Sequence, residues 1–216
     1  QLWRGTVRQA HKLVRSRRKA LRDLGRQLQQ QIAHINQTVI QHEAAHHILF
    51  NCGLLNRRAD NPMWLVEGLA MLFEASSASC PELVPVNSLR LAALRRVLGR
   101  PAATSPPDPG DYELAVRAGR LVPLRRLLTD NALFQRRDQL LQNVYGQCWA
   151  LAYYLSTHEA RQFGGYLRAI AARQAGQTIS PEQELALFRR WFGEPDEAFA
   201  RRWMTAILAL TTQPHR

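Results

Sequence analysis

Apolar residues recur every three or four positions along most of the chain, which is the spacing of an amphipathic α-helix. One such stretch begins at Asn36 or Thr38, either of which can cap a helix, and runs to about Asn51, before the helix-stopping Gly53. No segment alternates apolar and polar residues at every second position, as a half-buried β-strand does. The sequence therefore predicts an all-helical or nearly all-helical domain.

Capping residues and glycines predict the helices that follow. Asn61-Pro62 is typical of an N-cap followed by proline at the first helical position, and that helix should reach about Glu74. Asn87 or Ser88 opens another helix, which Gly99 closes. Residues 100–111 are rich in proline and predict an irregular connection. The remaining predicted helices are 124–128, 139–156, 160–175, one with a capping box at Ser180 and Gln183 that ends at Gly193, and one from Asp196 to about Leu210.

Positive charge is concentrated at the start of the chain. Residues 1–30 contain nine lysines and arginines and the single acid Asp23, and so account for +8 of the net charge of +12. The basic residues between 4 and 26 follow a spacing of three or four, beside a second, apolar stripe. This pattern predicts a basic amphipathic helix, which is either a solvated surface or a contact with nucleic acid or an anionic surface. No RNA-binding aromatic motif or zinc-finger spacing favours nucleic acid.

Composition excludes several classes of protein. A hydrophobic content of 46% excludes a mainly disordered chain, and no apolar run approaches the roughly 18–20 residues that cross a bilayer. The chain opens on Gln1 rather than Met, so we expect it to be a processed or truncated piece of a longer protein. Cys52, Cys80 and Cys148 are widely spaced and predict neither a cysteine-rich zinc site nor a disulfide framework, although one bridge remains possible.

Residues 42–46 form an H-E-x-x-H motif, which is a candidate metal-binding sequence. The motif lies within the helix predicted to end near Asn51. On a helix, His42 and His46 lie one above the other, so both imidazoles can bind one metal ion. Glu43 would reach a water on that metal rather than the metal itself. Because catalytic zinc typically keeps three protein ligands and one open position, the motif needs a third ligand.

Glu67 is the candidate third ligand, because it lies on the next predicted helix and the intervening segment is long enough to turn the chain back. Gly68 costs about 1 kcal/mol against alanine within a helix, which predicts a close approach of these two helices. Glu74 lies two turns beyond Glu67 on the same face. It is either a partner that hydrogen-bonds the far nitrogen of His42 or His46, or a surface carboxylate at a helix end.

These two blocks resemble the gluzincin metallopeptidases, the group of thermolysin-like and aminopeptidase-like enzymes. Their signature is H-E-x-x-H, then W-L-x-E-G-x-A about twenty residues later, with an acid seven positions after the ligand glutamate. The chain carries W-L-V-E-G-L-A at residues 64–70 and Glu74 at the acidic position. Residues 38–74 are most similar to a bacterial family of uncharacterised "peptidase MA-like" domains, and weaker similarity extends over most of residues 36–210.

Residues 145–155 are similar to the Y-x-x-x-x-A-L-x-x-x-L helix of these families. In the aminopeptidase branch the leading tyrosine donates a hydrogen bond to the tetrahedral oxyanion, and Tyr145 holds the matching position. The other interpretation is a packing tyrosine on an aromatic-rich helix, beside Trp149, Tyr153 and Tyr154.

The resemblance implies a zinc-dependent hydrolase that cleaves peptide or protein substrates. Zinc held by His42, His46 and Glu67 would polarise the scissile carbonyl and lower the pKa of its bound water toward about 7. Glu43 would act as the general base and later protonate the leaving amine. Tyr145 would stabilise the oxyanion.

Gluzincins typically carry a β-sheet before the active-site helix, and its edge strand aligns the substrate. The residues before His42 are instead predicted to be helical. Within this sequence we expect the sheet to be absent or minimal, so either it lies in a missing upstream part of the protein or the substrate is positioned differently. The expected organisation is a basic helical segment at 1–35, a metallopeptidase-like helical domain at 36–210 and a tail at 211–216. Such hydrolases are typically exported, so an extracytoplasmic location is expected, although no targeting segment is visible in the chain.

Two other functions remain open on the sequence. A catalytically inactive helical module would keep zinc for structure and bind a partner, and would therefore bind zinc without cleaving peptides. A basic protein with an accidental H-E-x-x-H would bind nucleic acid or an anionic surface through residues 4–26. That protein would bind no zinc, and its affinity for polyanions would fall steeply with salt.

Overall fold

The computed structural model describes the backbone of residues 2–74, 85–99, 108 and 110–210, with side chains from residue 12 onward. These residues form helices and no strand, which confirms the predicted mainly α-helical fold. The α-helices are α1 Leu2–Asn51, α2 Met63–Phe73, α3 Ser88–Val97, α4 Gly110–Arg117, α5 Leu124–Thr129, α6 Gln139–His158, α7 Ala160–Ala171, α8 Pro181–Phe192 and α9 Glu197–Leu208, with a short 3-10 helix, Asn131–Gln135, before α6. Within this part of the chain no helix combines the length and the apolar character that a membrane span requires.

Contacts between residues divide the chain into two compact units, Gln1–Ile40 and Gln41–Arg216. The first unit consists of helix α1 up to Ile40. Its basic side chains between residues 15 and 26 are exposed. Apolar side chains of the same unit are exposed as well, among them Leu21, Leu24 and Leu28. The contact with an anionic surface through residues 4–26 stays a prediction.

The expected helix start at Asn36 or Thr38 is wrong, because α1 runs without interruption through both residues. Thr38 Oγ1 donates a hydrogen bond to the carbonyl oxygen of His34 at 3.0 Å, which is the bond that a threonine makes inside a helix rather than at its start. The chain has neither glycine nor proline between residues 26 and 52, so nothing in its backbone interrupts the helix.

Side-chain caps define several helix ends as the sequence predicted. The Asn87 side chain accepts a hydrogen bond from the Arg90 N–H at 3.1 Å and so caps α3. Ser180 and Gln183 form the capping box at the start of α8. Gly193 follows α8 with φ 83°, a backbone conformation that favours glycine.

Other boundaries differ from the prediction. Pro62 is the N-cap residue of α2 rather than its first helical residue. Helix α4 begins inside the segment 100–111 that was predicted to be irregular, where the Asp108 side chain accepts a hydrogen bond from the Gly110 N–H at 2.9 Å. Residues 100–107 and 109 of that segment lie outside the described residues, as does the predicted tail at 211–216.

Helix α6 lies at the centre of the second unit and packs against α2, α3, α7 and α9. Its own residues are buried almost continuously from Val144 to Leu155. The fully buried Gln147 donates to the carbonyl oxygen of Val122 at 2.9 Å and accepts from its N–H at 3.0 Å. This pair of bonds satisfies a buried amide and ties the segment before α5 to the central helix.

Gly68 lies where α2 meets the backbone of α6. A Cβ atom at this position would lie 2.8 Å from the carbonyl oxygen of Cys148 and 3.0 Å from the Cβ of Ala152. The sequence predicts that Gly68 lies at a close approach between α2 and the helix that carries the histidines. The close approach exists, but the helix involved is α6.

Two of the three cysteines lie within the described residues, and both are free thiols. Cys52 is exposed and Cys148 is buried, while Cys80 lies outside this part of the chain. Burial raises the pKa of the Cys148 thiol well above its usual range, so this residue behaves as a small hydrophobic side chain.

Replacing Gly68 with alanine should destabilise the protein by about 1–3 kcal/mol, because the new methyl group would press on a backbone carbonyl. Gly146→Ala on α6 is the control, since no atom lies within 4 Å of its added Cβ. That variant should keep or raise stability, by up to about 1 kcal/mol. Urea unfolding of both variants measures the difference, and equal stabilities would contradict the packing described.

Candidate metal centre

His42 and His46 lie one helical turn apart on the face of α1 that also carries the buried Ala45 and Leu49. Their ring centroids are 4.7 Å apart, with the ring planes at 85°. His47, the neighbouring residue, is exposed and lies outside the cluster. Because of the helical period, the two histidines of the motif share one face of α1, whereas His47 faces solvent.

Helix α2 brings the buried Glu67 to both imidazoles. Its Oε2 lies 3.2 Å from His42 Nε2, and its Oε1 lies 3.8 Å from His46 Nε2. The two Nε2 atoms are 3.1 Å apart. Each of the three residues thus offers one ligand atom within 4.8 Å of the others. The structure contains a possible metal site at the three residues that the sequence selected.

Glu74 lies behind His42, on the side away from Glu67. Its Oε1 is 3.0 Å from His42 Nδ1. Arg90 donates to both carboxylate oxygens, from Nη2 to Oε1 at 2.7 Å and from Nε to Oε2 at 2.9 Å. Asn87 Nδ2 adds a bond to Oε2 at 2.9 Å. Glu74 is therefore a buried, fully hydrogen-bonded carboxylate in contact with His42, rather than a surface side chain at the end of a helix.

The two carboxylates alter the protonation of His42. Hydrogen bonds to Glu67 and then to Glu74 raise the pKa of His42 from 6.5 to about 9, against the opposing effect of burial. Burial alone would raise the pKa of Glu74, but the hydrogen bonds from His42 and Arg90 and their positive charges outweigh it and lower that pKa. The site therefore favours positive charge between its carboxylates.

Tyr145 and Glu43, the two predicted catalytic residues, differ in their exposure to solvent. Tyr145 is half-buried at the start of α6, with its ring 6.0 Å from that of Phe134. Burial, followed by the negative charge of Glu67 and more weakly that of Glu43, raises the pKa of the Tyr145 phenol. The phenol thus keeps its proton at neutral pH. Glu43 is exposed to solvent on α1.

Sequence reasoning missed Asn87 and Arg90 as residues of the site. Asn87 was recognised only as a helix start, although its amide both caps α3 and bonds Glu74. Arg90 carried no signal, because the chain is rich in arginine and no short motif places this one near Glu74. The contact spans 16 positions and includes the segment 75–84, which lies outside the described residues.

A family model described as "Protein of unknown function (DUF1570)" matches residues 36–175, and the chain belongs to this family. The matched region includes all the residues of the candidate site, which are His42, Glu43, His46, Glu67, Glu74, Asn87, Arg90 and Tyr145. No curated protein and no solved structure is detectably similar to the chain.

Stability should depend on pH through His42 when a chelator keeps metal away. A histidine whose pKa is raised on folding stabilises the protein fully below its unfolded pKa of about 6.5, and this stabilisation is lost as the pH rises through about 9. Denaturant unfolding between pH 6 and pH 10 should therefore show falling stability. His42→Gln should remove that component, whereas His47→Gln, at an exposed position, should retain it; identical profiles for the two variants would contradict the assignment.

Proposed function

We propose that this DUF1570 member is a zinc-dependent metallopeptidase-like hydrolase that cleaves peptide bonds. The observation that carries the proposal is the convergence of two imidazole nitrogens and one carboxylate at the same point. Two histidines and a glutamate are one of the ligand sets that hold catalytic zinc and leave a fourth position open.

The distances between the donor atoms fit a zinc ion. Zinc bonds of roughly 2.0–2.1 Å in tetrahedral directions place neighbouring donors about 3.3 Å apart. The separations here are 3.1 Å between the Nε2 atoms, 3.2 Å from His42 to Glu67 and 3.8 Å from His46 to Glu67. Small side-chain movements would suffice for the three atoms to share one ion.

Two side chains of the chain take part in the proposed reaction. When bound, zinc would polarise a peptide carbonyl and make an adjacent water more acidic. Glu43, next to His42 and open to solvent, accepts a proton from that water and passes it to the leaving amine. Tyr145 donates a hydrogen bond to the carbonyl oxygen as negative charge develops there.

The resemblance to gluzincins supports the same assignment. Glu67 and Glu74 occupy the ligand and acidic positions of the W-L-x-E-G-x-A block, and Tyr145 occupies the position of the oxyanion donor. The order in which base, ligands and donor occur along the chain is the order of that signature. We therefore also propose that the chain is a peptidase MA-like domain.

A catalytically inactive zinc-stabilised module is the second candidate. It is favoured by the absence of any strand from the described residues, since an edge strand aligns the substrate in gluzincins. Both candidates require zinc at the same three ligands. They differ in whether a peptide is cleaved.

Zinc binding should depend on His46 and not on its neighbour. His46→Ala should lower zinc affinity by more than the roughly 10–100-fold typical of losing an outer hydrogen-bond partner, because it removes a ligand. His47→Ala makes the same chemical change at an exposed position and should bind zinc as the unmodified protein does. Competition with a chromophoric chelator measures both affinities, and equal affinities would remove His46 from the site.

Peptide cleavage and zinc binding should separate in two further variants. Glu43→Gln should abolish cleavage of a quenched fluorescent peptide library and leave the zinc content at one ion per chain. Tyr145→Phe should lower kcat on the order of 100- to 1,000-fold with unchanged zinc affinity, as expected for loss of an oxyanion donor. Zinc binding without cleavage by the unmodified protein would favour the inactive module, and cleavage that survives Glu43→Gln would contradict the assigned base.

A further inference from the structure

We propose that Arg90 is a positioning residue of the metal site, which holds Glu74 against His42 and sets the orientation of the His42 ring. The inference rests on the proposed metal site and extends it to helix α3. Arg90 itself lies outside the ligand cluster and would act through Glu74.

Four hydrogen bonds fix the Glu74 carboxylate. Oε1 faces His42 Nδ1 at 3.0 Å and Arg90 Nη2 at 2.7 Å, and Oε2 accepts from Arg90 Nε and Asn87 Nδ2, both at 2.9 Å. The planar guanidinium matches the carboxylate with two parallel bonds, which prevents rotation of the carboxylate about its own axis. Only 4% of the Glu74 side chain is exposed, so water does not compete for these bonds.

The fixed carboxylate determines which nitrogen of His42 can bind a metal. An ionised carboxylate only accepts hydrogen bonds, so Nδ1 must carry the hydrogen that faces Glu74. Nε2 is then left to face His46 and Glu67. A carboxylate that could swing away would lose this control over the ring, and outer hydrogen bonds of this kind strengthen metal binding.

Arg90 also contacts the proposed oxyanion donor. Its Cζ atom lies 5.9 Å from the centroid of the Tyr145 ring. Its backbone is held by the Asn87 cap at the start of α3, and the same Asn87 side chain bonds Glu74. The start of α3 thus supports His42 through Glu74 and contacts Tyr145 directly.

A purely structural ion pair elsewhere in the fold provides a matched comparison. Arg173 donates two bonds to Glu184, both at 2.7 Å, and a third to the carbonyl oxygen of Asp60. The side chains of this pair are 7% and 10% exposed, against 26% and 4% for Arg90 and Glu74. Neither residue belongs to the ligand cluster. Arg→Lys at either position keeps the positive charge and removes the two-bond geometry.

The test compares Arg90→Lys, Arg173→Lys and the unmodified chain. Competition with a chromophoric chelator measures the zinc affinity of each protein, and urea unfolding measures its stability. We expect Arg90→Lys to weaken zinc binding roughly 10–100-fold, and Arg173→Lys to leave it within about threefold while lowering stability. Unchanged affinity in Arg90→Lys, or an equal loss in Arg173→Lys, would overturn the inference.

Asn87→Ser keeps a capping side chain at the start of α3 and removes the amide that bonds Glu74, so it tests the same idea if Arg90→Lys does not fold. We expect weaker zinc binding in this variant, and an unchanged affinity would count against the positioning role.

His46→Ala separates the two proposals. If the unmodified chain binds zinc and His46→Ala does not, while Arg90→Lys and Asn87→Ser bind normally, only the role of Arg90 fails. If the unmodified chain binds no zinc, both proposals fail.

Discussion

The candidate site in the second unit of the chain depends on two buried carboxylates, Glu67 and Glu74, two helical turns apart. A buried carboxylate costs several kcal/mol unless positive or hydrogen-bonding groups surround it. Glu67 meets this requirement through the imidazoles of His42 and His46, and Glu74 through His42 and the guanidinium of Arg90. The need to pair these charges therefore joins the end of α1, helix α2 and the start of α3 at one place.

Local signals in the sequence predicted most of the helices but not their continuity. The capping residues Asn87 and Ser180 act on their immediate neighbours, and the structure places helix starts beside both. Asn36 and Thr38 are equally good caps, yet α1 passes through them, because a cap acts only where the preceding backbone leaves the helix. The short helix α4 was missed for the opposite reason, since the proline-rich residues before it suggested that the irregular segment continued to residue 111.

The candidate site was predictable where its residues share a helix or a motif. His42 and His46 follow from the helical period, and Glu67 follows from a second helix at a suitable distance along the chain. The environment of Glu74 and the contact between Arg90 and the Tyr145 ring depend on how α3 packs, which no local pattern specifies. The close approach at Gly68 was foreseen, but its partner was not, because a glycine indicates contact without indicating which helix makes it.

X-ray absorption spectroscopy at the zinc edge, on the protein loaded with one equivalent of zinc, tests the central claim most directly. We expect scattering from two imidazole rings and from oxygen ligands at roughly 2.0–2.2 Å. A sulfur shell at about 2.3 Å, which would indicate cysteine ligands, or a spectrum without imidazole scattering would contradict it.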